Sequence, residues 1–357
     1  MDHPERALRY RCHCLVLHAA GDLRLEEQPV SEPGPGEVVV DVAMGGICGS
    51  DLHYMRHGGF GAIRLREPMV LGHEVAGRIG AVGVRVTGLA VGDRVAVNPS
   101  RPCRACRYCL EGLPNQCLDM RFYGSAMRMP HVQGAFRDRL LCDASQCEPV
   151  APHVPDAWAA MAEPFAVALH AVSRAGPLIG RRVLVTGCGP IGALAVVAAR
   201  LHGAMEVVVT DVVDEPLARV RQIGAHRTIN VATEPAWTES LKVDKGTFDV
   251  LIECSGQAQA LRDGLDIVRP RGTVVQLGLG GDVALPQNVV VAKEIALLGS
   301  FRFHAEFALA VRLLNDRRVD FAPLVSHTFP AREAAQAFAI AADRRQAMKV
   351  LLDFADA

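Results

Sequence analysis

Val183-Leu184-Val185-Thr186-Gly187-Cys188-Gly189-Pro190-Ile191-Gly192 decides the fold. Val183 to Thr186 read as a buried strand, Gly187, Gly189 and Gly192 fill a G-x-G-x-x-G pattern, and residues 193–202 have helical composition. The glycine pattern alone is common; a strand before it and a helix after it are the context it requires. A second strand, Val207-Val208-Val209-Thr210, ends at Asp211, nineteen residues past Gly192. Together these form a dinucleotide-binding fingerprint. The glycines let backbone approach a pyrophosphate, the helix N-terminus at Pro190 and Ile191 favours its charge, and Asp211 can accept hydrogen bonds from an adenosine ribose.

Downstream, further strands are expected at 248–253, 273–278 and 295–299, giving a parallel sheet buried on both faces. Ligands of such sheets sit beyond the carboxyl ends of the strands, so Cys254, Leu277 and Leu279 are candidate cofactor contacts; plain turns are the alternative. Residues 306–315 read as helix and 325–329 return to mixed composition, as if the chain crosses back. Upstream, residues 14–47 alternate apolar and polar positions between Gly/Pro turns, and the pattern continues through 75–79 and 92–97. The expectation is an α/β protein: a β-rich domain over 1–165, a doubly wound parallel-sheet (Rossmann) domain over 166–304, and a return to the first domain over 305–357.

Two clusters in the β-rich part carry metal chemistry. Pro68-Met69-Val70-Leu71-Gly72-His73-Glu74 sets an imidazole beside a carboxylate, and Cys48 lies in Gly46-Ile47-Cys48-Gly49-Ser50-Asp51-Leu52-His53-Tyr54. Thiolate, imidazole and carboxylate suit zinc, although Gly-His-Glu by itself also fits an ordinary surface turn. Cys103-Arg104-Ala105-Cys106-Arg107-Tyr108-Cys109 is followed by Cys117, four thiols in a lobe near 100–118. Four thiolates close a tetrahedral zinc shell, so this site would be structural; an iron–sulfur cluster and a set of free thiols are the rivals.

Composition narrows the function. The chain has 357 residues, half of them apolar, with 38 Lys plus Arg against 39 acids. That is ample for a core and offers no field to hold a nucleic acid or an anionic membrane, so a small-molecule partner is expected. The Cys-rich lobe also lacks the basic stripe with interleaved aromatics that nucleic-acid binding needs. Met1-Asp2-His3-Pro4-Glu5-Arg6 has acids and no apolar core, so it does not read as a secretory signal and the chain is expected in the cytoplasm. The longest uncharged run, 183–199, is broken by Gly187-Cys188-Gly189-Pro190 and is short of the about 20 residues a membrane span needs. In a reduced compartment, clustered cysteines favour metal binding over disulfides.

In this order, Cys48, Gly72-His73-Glu74, the four-cysteine lobe and the Gly187 to Gly192 loop make the chain resemble the zinc-dependent medium-chain alcohol dehydrogenases, their polyol branch above all. Asn98-Pro99-Ser100-Arg101-Pro102-Cys103, Asp119-Met120-Arg121-Phe122-Tyr123-Gly124-Ser125-Ala126-Met127 and Gly299-Ser300-Phe301-Arg302-Phe303 add to the likeness; sorbitol dehydrogenases share only some of these. The resemblance implies a GroES-like catalytic domain, two zincs per chain, NAD with NADP as a second cofactor, and a homo-oligomer, dimer or tetramer. It implies Cys48, His73 and Glu74 at a catalytic zinc and Cys103, Cys106, Cys109 and Cys117 at a structural one. Glu163 stands where alcohol-specific members carry a third ligand cysteine, and the choice of Glu74 or Glu163 as direct ligand stays open, because His73 and Glu74 can share one metal only across a bend. Ser50 and His53 are placed as in the family's proton relay, a turn cap being the alternative for His53. Tyr54, Phe122, Glu163, Arg302 and Phe303 would meet substrate, and Phe301 and Arg302 the cofactor. Pro216 replaces an Arg that sorbitol enzymes place five residues after the acid, while Arg219 and Arg221 lie close enough to soften a preference for NAD.

The implied reaction is oxidation of a secondary hydroxyl: zinc stabilises the alkoxide and the nicotinamide takes the hydride. The sugar acid L-idonate, giving 5-keto-D-gluconate, is the expected substrate, with sorbitol or L-iditol as runner-up. Arg302, then Arg121, is the candidate for gripping the substrate carboxylate. A non-enzymatic dinucleotide-binding or zinc-lobe interaction protein on the same fold is the alternative of a different class.

Overall fold

A computed structural model describes residues 8–355; the Met1 to Arg6 stretch lies outside the described residues. The β-rich part is built on a seven-stranded sheet. Its order is Cys147–Pro149, Arg94–Val97, Glu74–Val82, Glu37–Gly46, Lys349–Asp353 and Val325–Pro330, with Arg139–Asp143 also pairing against Glu37–Gly46. A smaller sheet joins Asp22–Ser31, Leu8–Ala19 and Met69–Val70. Alternation does what the sequence implied: Val38, Val40 and Val42 point inward and are buried with Val75, Ile79, Val95 and Val97. The chain does cross back. Lys349–Asp353 runs antiparallel to the end of Glu37–Gly46, with Leu351 opposite Gly46 and Asp353 opposite Met44.

The second sheet is parallel and has the doubly wound order: Arg227–Asn230, Glu206–Asp211, Arg182–Thr186, Phe248–Glu253, Val268–Gln276, Ala296–Gly299. The aliphatic runs of its central strands are almost wholly buried, as a sheet covered on both faces requires. Pro190 opens the helix Pro190–Leu201, where its missing N–H costs nothing. At the strand ends the buried Glu253 accepts hydrogen bonds from Thr186 Oγ1 at 3.3 Å, Ser255 N–H at 2.8 Å and Gln276 Nε2 at 2.6 Å. One carboxylate thus ties three strand termini into a fixed rim.

Among the helices that escaped the sequence reading, two bear on the site. Gly49–His57 is short and polar, with too little apolar periodicity to announce itself. Ala162–Arg174 runs through residue 166, where the composition changes, and is buried on nearly every side by alanines, Phe165, Leu169 and Val172. A helix apolar all round has no stripe to detect.

Candidate functional site

Asp51 assembles the first cluster. It is fully buried in the first turn of Gly49–His57. One carboxylate oxygen accepts the Cys48 N–H at 3.0 Å and the other the Gly72 N–H at 3.2 Å, so Cys48 and His73 are brought together through a single side chain. Gly72 turns the chain just before His73. Its φ is +88°, and a Cβ there would stand 2.1 Å from the Phe136 ring. Past this turn, donor atoms of Cys48, His73 and Glu74 lie within 4.8 Å of one another. His73 Nδ1 is buried without a hydrogen-bond partner, and burial, then Glu74 and Asp51, push the Cys48 thiol up to about 12. An orphaned imidazole nitrogen, a thiol that only a cation would ionise and a carboxylate fit a zinc ion.

Glu74 is also ion-paired with Lys349, which is itself buried and donates to the Ile47 carbonyl at 2.9 Å. Burial opposes the Lys349 charge, but Glu74 and Cys48 outweigh it and hold the ammonium above its ordinary pKa. Glu163, near the start of Ala162–Arg174, faces this set from outside it. Burial raises its carboxyl to about 8; His73 pulls it down, while Glu74 and Cys48 push it further up.

On the other side of His73 lies Phe122, with ring centroids 5.4 Å apart. The Arg302 guanidinium sits over Phe122, 4.1 Å from its centroid, and meets Met127 Sδ at 3.3 Å. Burial lowers Arg302 to about 10, with Glu163 and Tyr54 acting in the opposite direction. Tyr54 is buried, and its hydroxyl accepts the Ala126 N–H at 3.0 Å. Tyr54, Phe122, Glu163 and Arg302 therefore lie as neighbours beside Cys48 and His73.

Phe303 and Arg121 do not join them. Arg302 is left-handed, with φ 53°, and past that turn Phe303 packs in the core, stacked on Phe307 at 5.8 Å. Arg121 precedes Phe122 on the strand Arg121–Phe122, so its side chain leaves from the opposite face, exposed. Ser50 touches the Cys48 thiol, and His53, one turn on, is exposed at 5.9 Å from Phe60. Burial lowers the His53 pKa, helped by His57 and Arg56.

The dinucleotide cleft keeps its glycine logic. A Cβ on Gly192 would stand 1.9 Å from the Gly187 carbonyl, whereas at Gly189 nothing lies within 4 Å, which leaves room for a phosphate group to approach. Asp211 accepts N–H bonds from Cys188 at 2.6 Å, Val212 at 2.7 Å and Val213 at 3.1 Å, and is ion-paired with Arg344. Arg219 is taken up by Glu215 and the Pro323 carbonyl, both at 2.9 Å, and Arg221 by Thr228 Oγ1 at 2.7 Å. Pro216 is buried, its carbonyl accepting the Cys188 thiol at 3.3 Å. Cys254 and Leu277 are half-buried at strand ends, Leu279 is exposed, and the half-exposed Phe301 accepts the Asn115 Nδ2 donor at 3.1 Å.

Cys103, Cys106, Cys109 and Cys117 bring their sulfurs within 4.8 Å of one another. The Cys106–Cys109 and Cys106–Cys117 separations, 3.6 and 3.9 Å, bracket the roughly 3.8 Å edge of a tetrahedron with Zn–S bonds of about 2.3 Å. That is too tight to enclose a multi-iron cluster. N–H groups of Ala105 and Cys106 point at Cys103, and those of Cys103 and Asp119 at Cys117. N–H groups of Cys109 and Leu118 pull Cys106 down to about 6, whereas burial and the neighbouring Cys117 and Cys106 push Cys109 up to about 12. Backbone dipoles aimed at sulfur favour thiolates and hence a bound cation over free thiols.

Asp51, Lys349, Glu253 and Arg344 were not singled out from the sequence. Lys349 had a signal: it is one of four lysines and opens an apolar strand, Lys349–Asp353.

Comparison with known proteins adds two family matches: residues 34–153 fit the alcohol dehydrogenase GroES-like domain, and residues 190–316 the zinc-binding dehydrogenase domain. The chain is 43% identical to the L-idonate 5-dehydrogenase (NAD(P)(+)) of Escherichia coli K12, over 97% of this chain and all of that one. It is 36% identical to the sorbitol dehydrogenase of Gallus gallus, over 95% of each. The crystal structure of L-idonate 5-dehydrogenase from Escherichia coli K-12 superposes with a TM-score of 0.93 at 40% identity, covering 97% of this chain and 99% of that one.

Proposed function

Since this chain belongs to the zinc-dependent medium-chain alcohol dehydrogenases, in their polyol branch, we propose that it oxidises the C5 hydroxyl of L-idonate to 5-keto-D-gluconate, with NAD as preferred hydride acceptor and NADP as a second. The observation that carries the substrate is Arg302: a guanidinium stacked on Phe122, beside Glu163 and Tyr54, next to the Cys48 and His73 cluster. Planar guanidinium grips a carboxylate through two parallel hydrogen bonds, which an aldonate offers and a polyol lacks.

Two zincs per chain are proposed, one held by Cys48, His73 and Glu74 and one by the four thiols of the lobe. The first, when bound, would supply a Lewis acid that lowers the pKa of the substrate hydroxyl. The chain does the rest. Phe122 and Tyr54 fix the sugar against the ligand cluster, Arg302 anchors its far end, and Glu163 offers a carboxyl that exchanges a proton near neutrality. Ser50 beside Cys48 and the exposed His53 form the route by which the hydroxyl proton reaches solvent. The Gly187 to Gly192 turn and Asp211 hold the dinucleotide.

A second reading, sorbitol or L-iditol to ketose, draws on Glu163 beside Arg302, since an acid that offsets the guanidinium suits neutral hydroxyls. Catalytic efficiency separates them. L-idonate should exceed sorbitol, and Arg302→Met should cost about 1.5 to 3 kcal/mol of transition-state binding with L-idonate and less with sorbitol. Sorbitol turned over faster by the wild type would transfer the assignment to the second reading.

A homo-oligomer, dimer or tetramer, is part of the proposal. The edge strand Ala296–Gly299 pairs on one side with Val268–Gln276 and leaves Leu297 exposed, a row that a second copy would cover. No helix among the described residues is long and apolar enough to cross a membrane. The proposed compartment is the cytoplasm, which keeps cysteines reduced; none of the eleven here is in a disulfide.

A further inference from the structure

We propose that Arg344 is the residue that lets the cleft accept a 2′-phosphorylated dinucleotide, by exchanging its partner Asp211 for the phosphate. The inference rests on the reading above that this cleft holds the adenosine end of the cofactor. A lone carboxylate at the end of the strand Glu206–Asp211 would repel a 2′-phosphate. Asp211 is not alone: its carboxylate is buried, while the paired Arg344 side chain is 49% exposed. One member of the pair is fixed and the other faces solvent, where a ligand can reach it.

Asp211 has three backbone N–H donors, from Cys188, Val212 and Val213, that hold it in place whether or not Arg344 is attached. Arg344 lies in the segment between Ala334–Ala341 and Lys349–Asp353, and no other carboxylate is paired with it among the described residues. The arginines nearer in sequence are already engaged, Arg219 by Glu215 and Arg221 by Thr228, and Asp214 is held by Asn230 Nδ2 at 2.7 Å. Arg344 is the cation that already touches Asp211, where a 2′-phosphate would arrive. A guanidinium has five N–H donors in a planar fork that matches phosphate oxygens. With an unphosphorylated ribose, the diol takes the carboxylate face of Asp211; with a 2′-phosphate, Arg344 turns to the phosphate and screens it from Asp211. The segment bearing Arg344 also leads into the catalytic sheet through Lys349–Asp353, so cofactor choice is set by the half of the molecule that does not contain the glycine turn.

Calorimetric titration of the zinc-loaded protein with adenosine 2′,5′-bisphosphate and with 5′-AMP tests this without turnover. Arg344→Gln should weaken the bisphosphate about tenfold or more, the loss of one charge-assisted pair, and change 5′-AMP less than about threefold. Arg344→Lys, which keeps the charge and the ion pair, should lose less, and it serves as the folded comparison if the Gln variant is unstable. Equal weakening of both ligands would make Arg344 a strut between domains and overturn the proposal, as would an unchanged bisphosphate affinity. A wild-type protein that binds neither ligand would instead overturn the assignment of the cleft.

Discussion

The two cysteine-containing clusters are built in opposite ways. The four-thiol lobe is assembled within fifteen consecutive residues, 103–117, and its sulfurs are oriented by N–H groups of that same stretch and its immediate neighbours. The Cys48, His73 and Glu74 set draws on Asp51 from a helix, Gly72 from a bend, and Lys349, which reaches Ile47 from 302 residues away. A local cluster needs its own loop; a distributed one needs the whole fold. The first suits a clamp, and the second suits chemistry, where each group must answer to several neighbours.

The sharpest way to separate them is His73→Ala. Turnover should fall by on the order of 10³ to 10⁴, equivalent to several kcal/mol of lost charge stabilisation. The melting temperature should stay within about 3 °C of wild type, and metal analysis should find one zinc retained. Cys117→Ser attacks the other cluster. Here the melting temperature should drop on the order of 10 to 15 °C, because structural zinc affinity is coupled to folding. Iron in the purified protein, or a single zinc in the wild type, would break the comparison at its root. Lys349→Met probes how the distributed set depends on remote sequence. With the Cys48, His73 and Glu74 set free of metal, leaving Glu74 buried without its cation should cost roughly 3 to 5 kcal/mol in denaturant unfolding. Adding Glu74→Gln to it should recover part of that loss, since the stranded charge is gone; no recovery would mean that Lys349 matters through packing alone.

The same contrast governs what could be read from the chain. Val183 to Gly192 announces its strand, turn and helix in ten residues, and the lobe announces itself by cysteine spacing. Cys48 and Gly72-His73-Glu74 are visible as ligand types, but their convergence depends on an Asp51 bridge that no spacing reveals. Arg302 was legible as a cation near the site, whereas Phe303 was misplaced because the left-handed turn at Arg302 is invisible in sequence. Arg121 failed for the opposite reason: strand alternation, applied to Arg121 and Phe122, would have sent it to the outer face. Arg344 stayed hidden because its partner lies 133 residues earlier, in another domain.

The return of Lys349–Asp353 to pair with the end of Glu37–Gly46 has a consequence during synthesis. Residues 47 and 349 are separated by 302 positions, and at about 5 to 20 residues per second a ribosome takes roughly 15 to 60 s to deliver the second after the first. Throughout that interval the nascent β-rich half lacks this strand and exposes the backbone edge of residues 44–46, the part of Glu37–Gly46 that Arg139–Asp143 does not cover. The dinucleotide-binding sheet, whose six strands lie between residues 182 and 299, emerges complete before then. The second domain in sequence is therefore the first able to fold, and the catalytic half closes around it only after its last strand has been made.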